Sequence, residues 1–444
     1  MTADSAPRPL RAAAEPVALA LLALAIAAVL GRLGDWRGEL GRFQALMLAA
    51  FGAYALAVWR RARWRGLPGA GAFVVLVALA LRAALVATPP TLSDDLYRYV
   101  WEGRVLASGS SPYAHAPLDP ALALLRDAAI FPRVNHPELS AVYPPLAEAG
   151  FALVARVRDT PLAFKLWVLL HDLALCALLA WWCGARGGSA WDALIYAWNP
   201  LVVAEYAGSG HHDPTGILWL VLALALTERR RATGAAASLA ASVMVKLVAL
   251  PAWPFVARAW PVRVRIAATL SLVALLAGYV AFASGPGSGL QAFAEHWRHN
   301  DSLFGLLAFR AGDRAARLVA GALLLVLVGV LLYRRAPAID ATRLVLRAGL
   351  LLGPVLHPWY LGWVLALEPL SPSAAWLALS CTVLVGYGSF APPAEGGAYH
   401  PGAAARLVEY GVPALVAVVA QRVRAARGRD PGVRTTPGSR PPGM

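Results

Sequence analysis

Long apolar runs, separated by short polar breaks, dominate this chain. A helix that crosses a bilayer needs about 20 mostly apolar residues. Runs of that kind fill 16–34, 43–59, 70–88, 164–182, 191–207, 214–227, 265–284, 314–333, 341–357, 373–389 and 405–421. Shorter or proline-broken apolar pieces fill 145–157, 234–257 and 359–370. The pattern predicts an all-α, polytopic helical membrane protein with about 11 to 13 spanning helices, one unit over residues 1–421. The first run follows MTADSAPRPLRAAAE without a cleavage pattern, so it is expected to stay as a first helix. No internal repeat stands out.

Two stretches break this pattern. Residues 89–144 form the longest polar segment, with six acidic residues against four arginines. Loops longer than about 12–15 residues are usually functional or disordered. The aromatic content of DDLYRYVWEGR, from Asp94 to Arg104, argues for order. Residues 422–444 are rich in Arg, Pro and Gly and are expected to form an unpacked basic tail.

Composition excludes other classes. Of the 444 residues, 59% are hydrophobic and 15% charged, against roughly 25% charged in an average soluble domain. With a mean hydropathy of +0.57, a soluble enzyme, a disordered chain and a disulfide scaffold all fall away. The formal charge of +15 would suggest nucleic acid in a soluble protein. Here the bilayer is the better partner, because cytoplasmic loops collect arginine. Arg60, Arg61, Arg63 and Arg65, then Arg229, Arg230 and Arg231, then Arg334 and Arg335, and finally the tail mark that side. The N-terminus is then inside and residues 89–144 lie outside. Keeping both 229–231 and 258–265 inside requires 234–257 to enter and return, which Pro251 and Pro254 permit. Cys176, Cys183 and Cys381 lie in or beside apolar runs and read as small buried hydrophobes.

Candidate chemistry lies in polar islands between the apolar runs. Asp94 and Asp95 follow the third run, at the outer interface. In a helix over 94–104, Asp94, Tyr97, Arg98 and Trp101 share one face. A carboxylate can take the proton of a sugar hydroxyl while aromatic faces such as Tyr97 hold the ring. The same DD pair equally suits an acidic helix start capped by Ser93. Tyr143 precedes Pro144 and Pro145 at another helix start, as an interfacial anchor or a phosphate or sugar contact. Glu205, His211, His212 and Asp213 cluster between two runs. Adjacent histidines point different ways on any regular element, so polar site lining is preferred to a metal. No metal site and no cofactor is expected, and a divalent-ion requirement stays open.

Only two of the 40 basic residues are lysines. Lys165, at the start of a run, is expected to snorkel to the interface. Lys246 lies inside an apolar run, where a central charge costs roughly 2.5–3.5 kcal/mol on insertion scales. Binding of an anionic headgroup is its expected role. Asn300 and Asp301 lie in HWRHNDSLFG, and His357, Trp359 and Tyr360 in HPWYLGWVLALEPL. An aromatic belt accounts for the Trp and Tyr but not for His357 or Asp301.

The ordered series of external DD, SPY, YPPL, a Lys…Asp helix, NP…GHHD, a mid-run Lys and a late WY–LW–L–PL block resembles a known group. It looks like the GT-C superfamily of polyprenol-phosphate-sugar-dependent glycosyltransferases, over about Ser93 to Leu370. Bacterial polyprenol-phosphate-mannose α-1,6-mannosyltransferases are the nearest. The resemblance implies a GT-C fold with a large first external loop and Asp94 or Asp95 as catalytic base. It implies inversion at the anomeric carbon and a lipid phosphate as leaving group. Lys246, with His211, His212 or Arg98, would stabilise the phosphate charge, and Asp213 matches an acidic position opening a later helix. Tyr97, Tyr143, Asp213, Asn300, Asp301, His357, Trp359 and Tyr360 are then expected to bind substrate. The implied partners are a polyprenyl-phosphate sugar donor and a glycan or glycolipid acceptor at the outer face of the cell membrane. The sequence holds no Gly-rich nucleotide loop, which fits a lipid donor. The alternatives are a polysaccharide ligase or polymerase using a lipid diphosphate, and a transporter. The first would carry its main external loop late in the chain, and the second commonly shows related halves.

Overall fold

The computed structural model describes residues 8–285, 288–390 and 402–427. Among these it is helical throughout, with an isolated bridge between His299 and Val355. Six helices are long and apolar enough to cross a membrane: Ala13–Arg32, Leu40–Trp64, Pro161–Ala185, Val262–Ala283, Asp313–Tyr333 and Ala404–Val423. Shorter apolar helices cover Ala70–Leu85, Pro214–Glu228, Ala232–Val245, Leu247–Ala257 and Ala374–Gly388. The last helix runs to Arg427, so residues 422–427 extend it rather than begin a tail. The rest of the expected tail, 428–444, lies outside the described residues.

The loops sort to two ends by side-chain contacts. At one end Arg61 pairs with Asp192 at 2.8 Å, Trp182 donates to Glu228 at 2.8 Å and Trp260 donates to Thr227 at 3.2 Å. Arg258 donates to the Ala336 carbonyl beside Arg334 and Arg335. All the internal arginine clusters of the sequence therefore share this end. At the other end the Trp36 amide bonds to Thr91 at 2.9 Å, and Tyr279 donates to the Val142 carbonyl at 2.6 Å.

The Trp260–Thr227 bond also shows that 232–257 enters and returns. Helix Ala232–Val245 stops at Lys246, whose backbone is extended (φ −156°, ψ 126°). A 3-10 turn over Leu247–Ala252 and a short helix over Trp253–Ala257 bring the chain back. Pro251 and Pro254 have no N–H to give to Leu247 and Leu250, which prevents a regular helix there.

One expected span is broken. The run 191–207 is a chain of short pieces, because Pro200 lacks a donor and the Asn199 side chain accepts from the Leu201 and Val202 amides, restarting the helix. Residues 358–370 are likewise short helical turns. These two irregular segments pack on each other inside the helical ring. Tyr206 Oη donates to the Trp359 carbonyl at 3.0 Å, and its ring fills the space where Gly362 would carry a Cβ. Irregular backbone at this depth is tolerated because protein, not lipid, surrounds it.

Helix Pro145–Arg158 does not cross. It lies along helix Asp95–Ala107, and a Cβ on Gly103 would stand 2.5 Å from the Phe151 carbonyl oxygen. Arg104 pairs with Asp159 at 2.9 Å where the two helices end. The next helix then starts at Pro161, still at the end opposite the arginine clusters.

Lys165 does not snorkel. It is 1% exposed and donates to the carbonyls of Thr88 and Gly208, tying three segments together under the site. Further in, Arg82 and Asp172, both fully buried, pair at 2.6 Å. Tyr196 donates to the second oxygen of Asp172 at 2.8 Å.

Candidate active site

At the end opposite the Arg60–Arg65, Arg229–Arg231 and Arg334–Arg335 clusters a cavity of about 920 Å³ opens between the start of helix Asp95–Ala107, the 135–144 loop, Lys246 and the 357–360 turn. Asp94, Asp95, Arg98, Tyr143, Lys246, Asn300, His357, Trp359 and Tyr360 all line it. Residues more than 260 positions apart thus meet in one place.

Asp95 opens its helix and turns inward. Its Oδ1 accepts from Asn135 Nδ2 at 2.7 Å, and its Oδ2 stands 3.6 Å from His211 Nδ1. Burial raises its carboxyl above the usual range, while Asn135 and the charge of Lys246 pull it back down. Asp94 is 46% exposed and only 3.9 Å from Arg133. The two adjacent acids therefore occupy different environments.

Lys246 reaches the cavity because the helix stops at that residue. Its ammonium pairs with Asp213 Oδ1 at 2.7 Å and sits 4.1 Å from the Tyr360 ring centroid. Asp213 does not line the cavity. It is fully buried behind Lys246 and also accepts from Trp363 Nε1 at 2.6 Å. The substrate contact expected of Asp213 is thus corrected: the residue lies off the cavity lining, and its Oδ1 holds the lysine.

Arg98 lines the cavity, but four of its N–H groups are already engaged. Nε donates to Glu102 at 2.6 Å, and the Nη atoms donate to the carbonyls of Asn135, His136 and Leu139. It clamps the loop that carries Asn135, and little of it remains for a phosphate.

Four more expectations are corrected. His211 and His212 are each 1% exposed and stand behind the wall, out of direct reach of an anion in the cavity. His211 stacks on Trp359 at 3.6 Å, and His212 packs edge-on against Tyr99 and Tyr143. Tyr97 is buried under Arg133, whose guanidinium lies 4.0 Å from its ring centroid. Asp301 is 2% exposed and pairs with Arg298 and Arg406. Its neighbour Asn300 does face the cavity and donates to buried Glu409 at 2.7 Å.

Other lining residues were not expected from the sequence. Asn135, His136 and His299 face the cavity; the NHPELS stretch held a readable cue for the first two. His299 extends a ladder of rings, stacking on His357 at 4.6 Å, which stacks on Trp359 at 4.3 Å. Leu247, Val248, Leu290 and Phe293 give one side of the cavity an apolar lining. Among the described residues no three of His, Cys, Asp and Glu converge as a metal-holding group.

Fold and site together define a polytopic helical membrane protein with an acid-and-lysine cavity at the end opposite its arginine clusters. Comparison with known families sharpens this. The model of the family described as alpha-(1->6)-mannopyranosyltransferase, N-terminal domain, matches residues 15–263, more than half of the chain, and the chain belongs to that family. Alpha-(1->6)-mannopyranosyltransferase A of Mycobacterium tuberculosis is 28% identical over 233 residues, which covers 47% of this chain and 43% of that relative. The match thus spans less than half the length of the curated relative. No solved structure matches. Asp94, Asp95 and Lys246 lie inside the matched stretch, whereas the 297–300 and 357–360 walls lie beyond it.

Proposed function

We propose that this protein is a glycosyltransferase that moves mannose, with inversion, from a polyprenyl-phosphate donor to a glycan or glycolipid acceptor at the outer face of the cell membrane. The observation that carries this reading is the shared cavity of Asp95 and Lys246, one carboxylate and one ammonium with an apolar flank. Inverting transfer needs one base and a way to stabilise the leaving phosphate. Asp95 takes the proton of the acceptor hydroxyl, which attacks the anomeric carbon as the sugar–phosphate bond breaks. Lys246 faces the charge that develops on the phosphate. The apolar lining by Leu247, Val248, Leu290 and Phe293 suits the first units of a lipid tail. The ring ladder gives the sugars a flat, weakly polar wall.

The arginines support the outer face. Their clusters lie at the end away from the cavity, and positive loops stay inside. Between the two acids the surroundings favour Asp95, which is held by Asn135 and partly desolvated, over the exposed Asp94. We assign no step to a metal or cofactor.

The test is a transfer assay in membranes with a panel of polyprenyl-phosphate sugars, scored by product mass. Polyprenyl-phosphate mannose is expected to be the active donor. Asp95→Asn is expected to lower the rate at least about a hundredfold, the low end for general base catalysis. Wild-type turnover by Asp95→Asn, or transfer from a nucleotide sugar alone, would end this reading.

A further inference from the structure

Behind the cavity wall a second acid faces the candidate base through one imidazole. His211 Nδ1 stands 3.6 Å from Asp95 Oδ2, and its Nε2 stands 3.5 Å from Glu205 Oε2. His211 and Glu205 are each 1% exposed. Neither imidazole nitrogen has a hydrogen-bond partner, both carboxylates standing just beyond hydrogen-bond length, and Glu205 Oε2 is equally without one, with the Ser209 hydroxyl beside that carboxyl. The other Glu205 oxygen accepts from the phenol of Tyr387, which lines the cavity. Buried polar atoms left in such a row call for an explanation.

The row is built by local structure. Residues 204–209 form a π-turn that ends at Gly210, a left-handed position (φ 82°), and the His211 amide returns to the Glu205 carbonyl at 3.1 Å. This closes the chain into a loop that sets residue 211 opposite residue 205. The imidazole cannot swing away, because Trp359 stacks on its face at 3.6 Å with an 11° tilt.

We infer that Glu205 and His211 are positioning residues that set the basicity of Asp95. An ionised carboxylate is an acceptor only, so a hydrogen on the His211 nitrogen that faces Asp95 at 3.6 Å favours the ionised form. The opposite nitrogen faces Glu205, and that carboxyl governs which tautomer the ring adopts. The row thereby sets a buried imidazole 3.6 Å from Asp95 Oδ2, just beyond hydrogen-bond length, opposite the Asn135 amide that donates to Oδ1 at 2.7 Å. The remaining charged or titratable groups near this row are Asp94, Lys246, Asp213, His212 and His357, with the phenols of Tyr99, Tyr143, Tyr206 and Tyr360. None of them lies between Asp95 and Glu205. The inference rests on the proposed role of Asp95 for its effect on rate, but not for its effect on titration.

The experiment reads both. In purified full-length protein, the Asp95 titration is followed by the carboxylic C=O infrared band that Asp95→Asn lacks. The acid limb of polyprenyl-phosphate mannose transfer is recorded alongside. His211→Phe keeps the ring stack and removes both nitrogens. It is expected to move the titration and the acid limb up, by less than the roughly one pH unit that a full hydrogen bond to a carboxylate is worth. Glu205→Leu, or Glu205→Met where the first does not fold, is expected to move both the same way by less. The double variant should match His211→Phe alone, because Glu205 acts only through the ring. An unmoved titration in folded His211→Phe, or shifts that add in the double variant, overturns the inference. A shifted titration in a protein whose Asp95→Asn form transfers normally leaves the inference standing and removes Asp95 as base.

Discussion

Replacing Lys246 separates its two jobs. The ammonium is 2.7 Å from Asp213, a fully buried carboxylate whose other partner is Trp363. Lys246→Met therefore strands a buried charge, which costs roughly 3–5 kcal/mol of stability. It also removes the cation proposed to face the leaving phosphate. At about 4 Å and an effective dielectric constant of about 20, that interaction is worth about 4 kcal/mol, or nearly a thousandfold in rate. The two losses part in the double variant Lys246→Met/Asp213→Asn. The asparagine needs no counter-charge, so the melting temperature in detergent should return to within a few degrees of wild type. The transfer rate should stay about a thousandfold down. A folded double variant that transfers mannose at the wild-type rate would remove Lys246 from the chemistry and leave it a structural partner of Asp213.

Further outcomes follow from the same contacts. In the proposed mechanism transfer needs Asp95 ionised, and burial lifts its pKa above the usual carboxylate range. Activity should therefore fall, as pH drops, earlier than for an exposed aspartate. Asn135→Ala removes a bond that favours the ionised form, so the acid limb should move to still higher pH. A limb that stays put on loss of Asn135 would contradict the assigned contact. Arg82→Met leaves Asp172 buried with only Tyr196 and should cost about 3–5 kcal/mol, seen as a lower melting temperature at equal expression. Gly103→Ala should loosen the Asp95–Ala107 helix from Pro145–Arg158, since its Cβ meets backbone 2.5 Å away, and should raise protease sensitivity of the 107–144 stretch.

The reach of the sequence is uneven, for physical reasons. Apolar run length is a local property, so the all-helical membrane class was legible, as was the return of 234–257 from its arginine flanks and prolines. The break at Asn199–Pro200 was visible in composition but was overridden by the apolar run around it. That segment is enclosed by other helices, so lipid never tests its backbone. The candidate site divides in the same way. Asp95, Lys246 and the 357–360 block could be picked out because charge and clustered rings are costly or unusual inside apolar runs. Whether such a residue faces the cavity or a partner behind it is a matter of side-chain direction. His211, His212, Asp213 and Asp301 look as reactive on paper as Asp95, yet each is enclosed with its partners. The choice between Asp94 and Asp95 is of this kind too. Neighbours in the chain start with equal claims, and only the fold turns one towards Asn135 and His211 and leaves the other half-exposed beside Arg133.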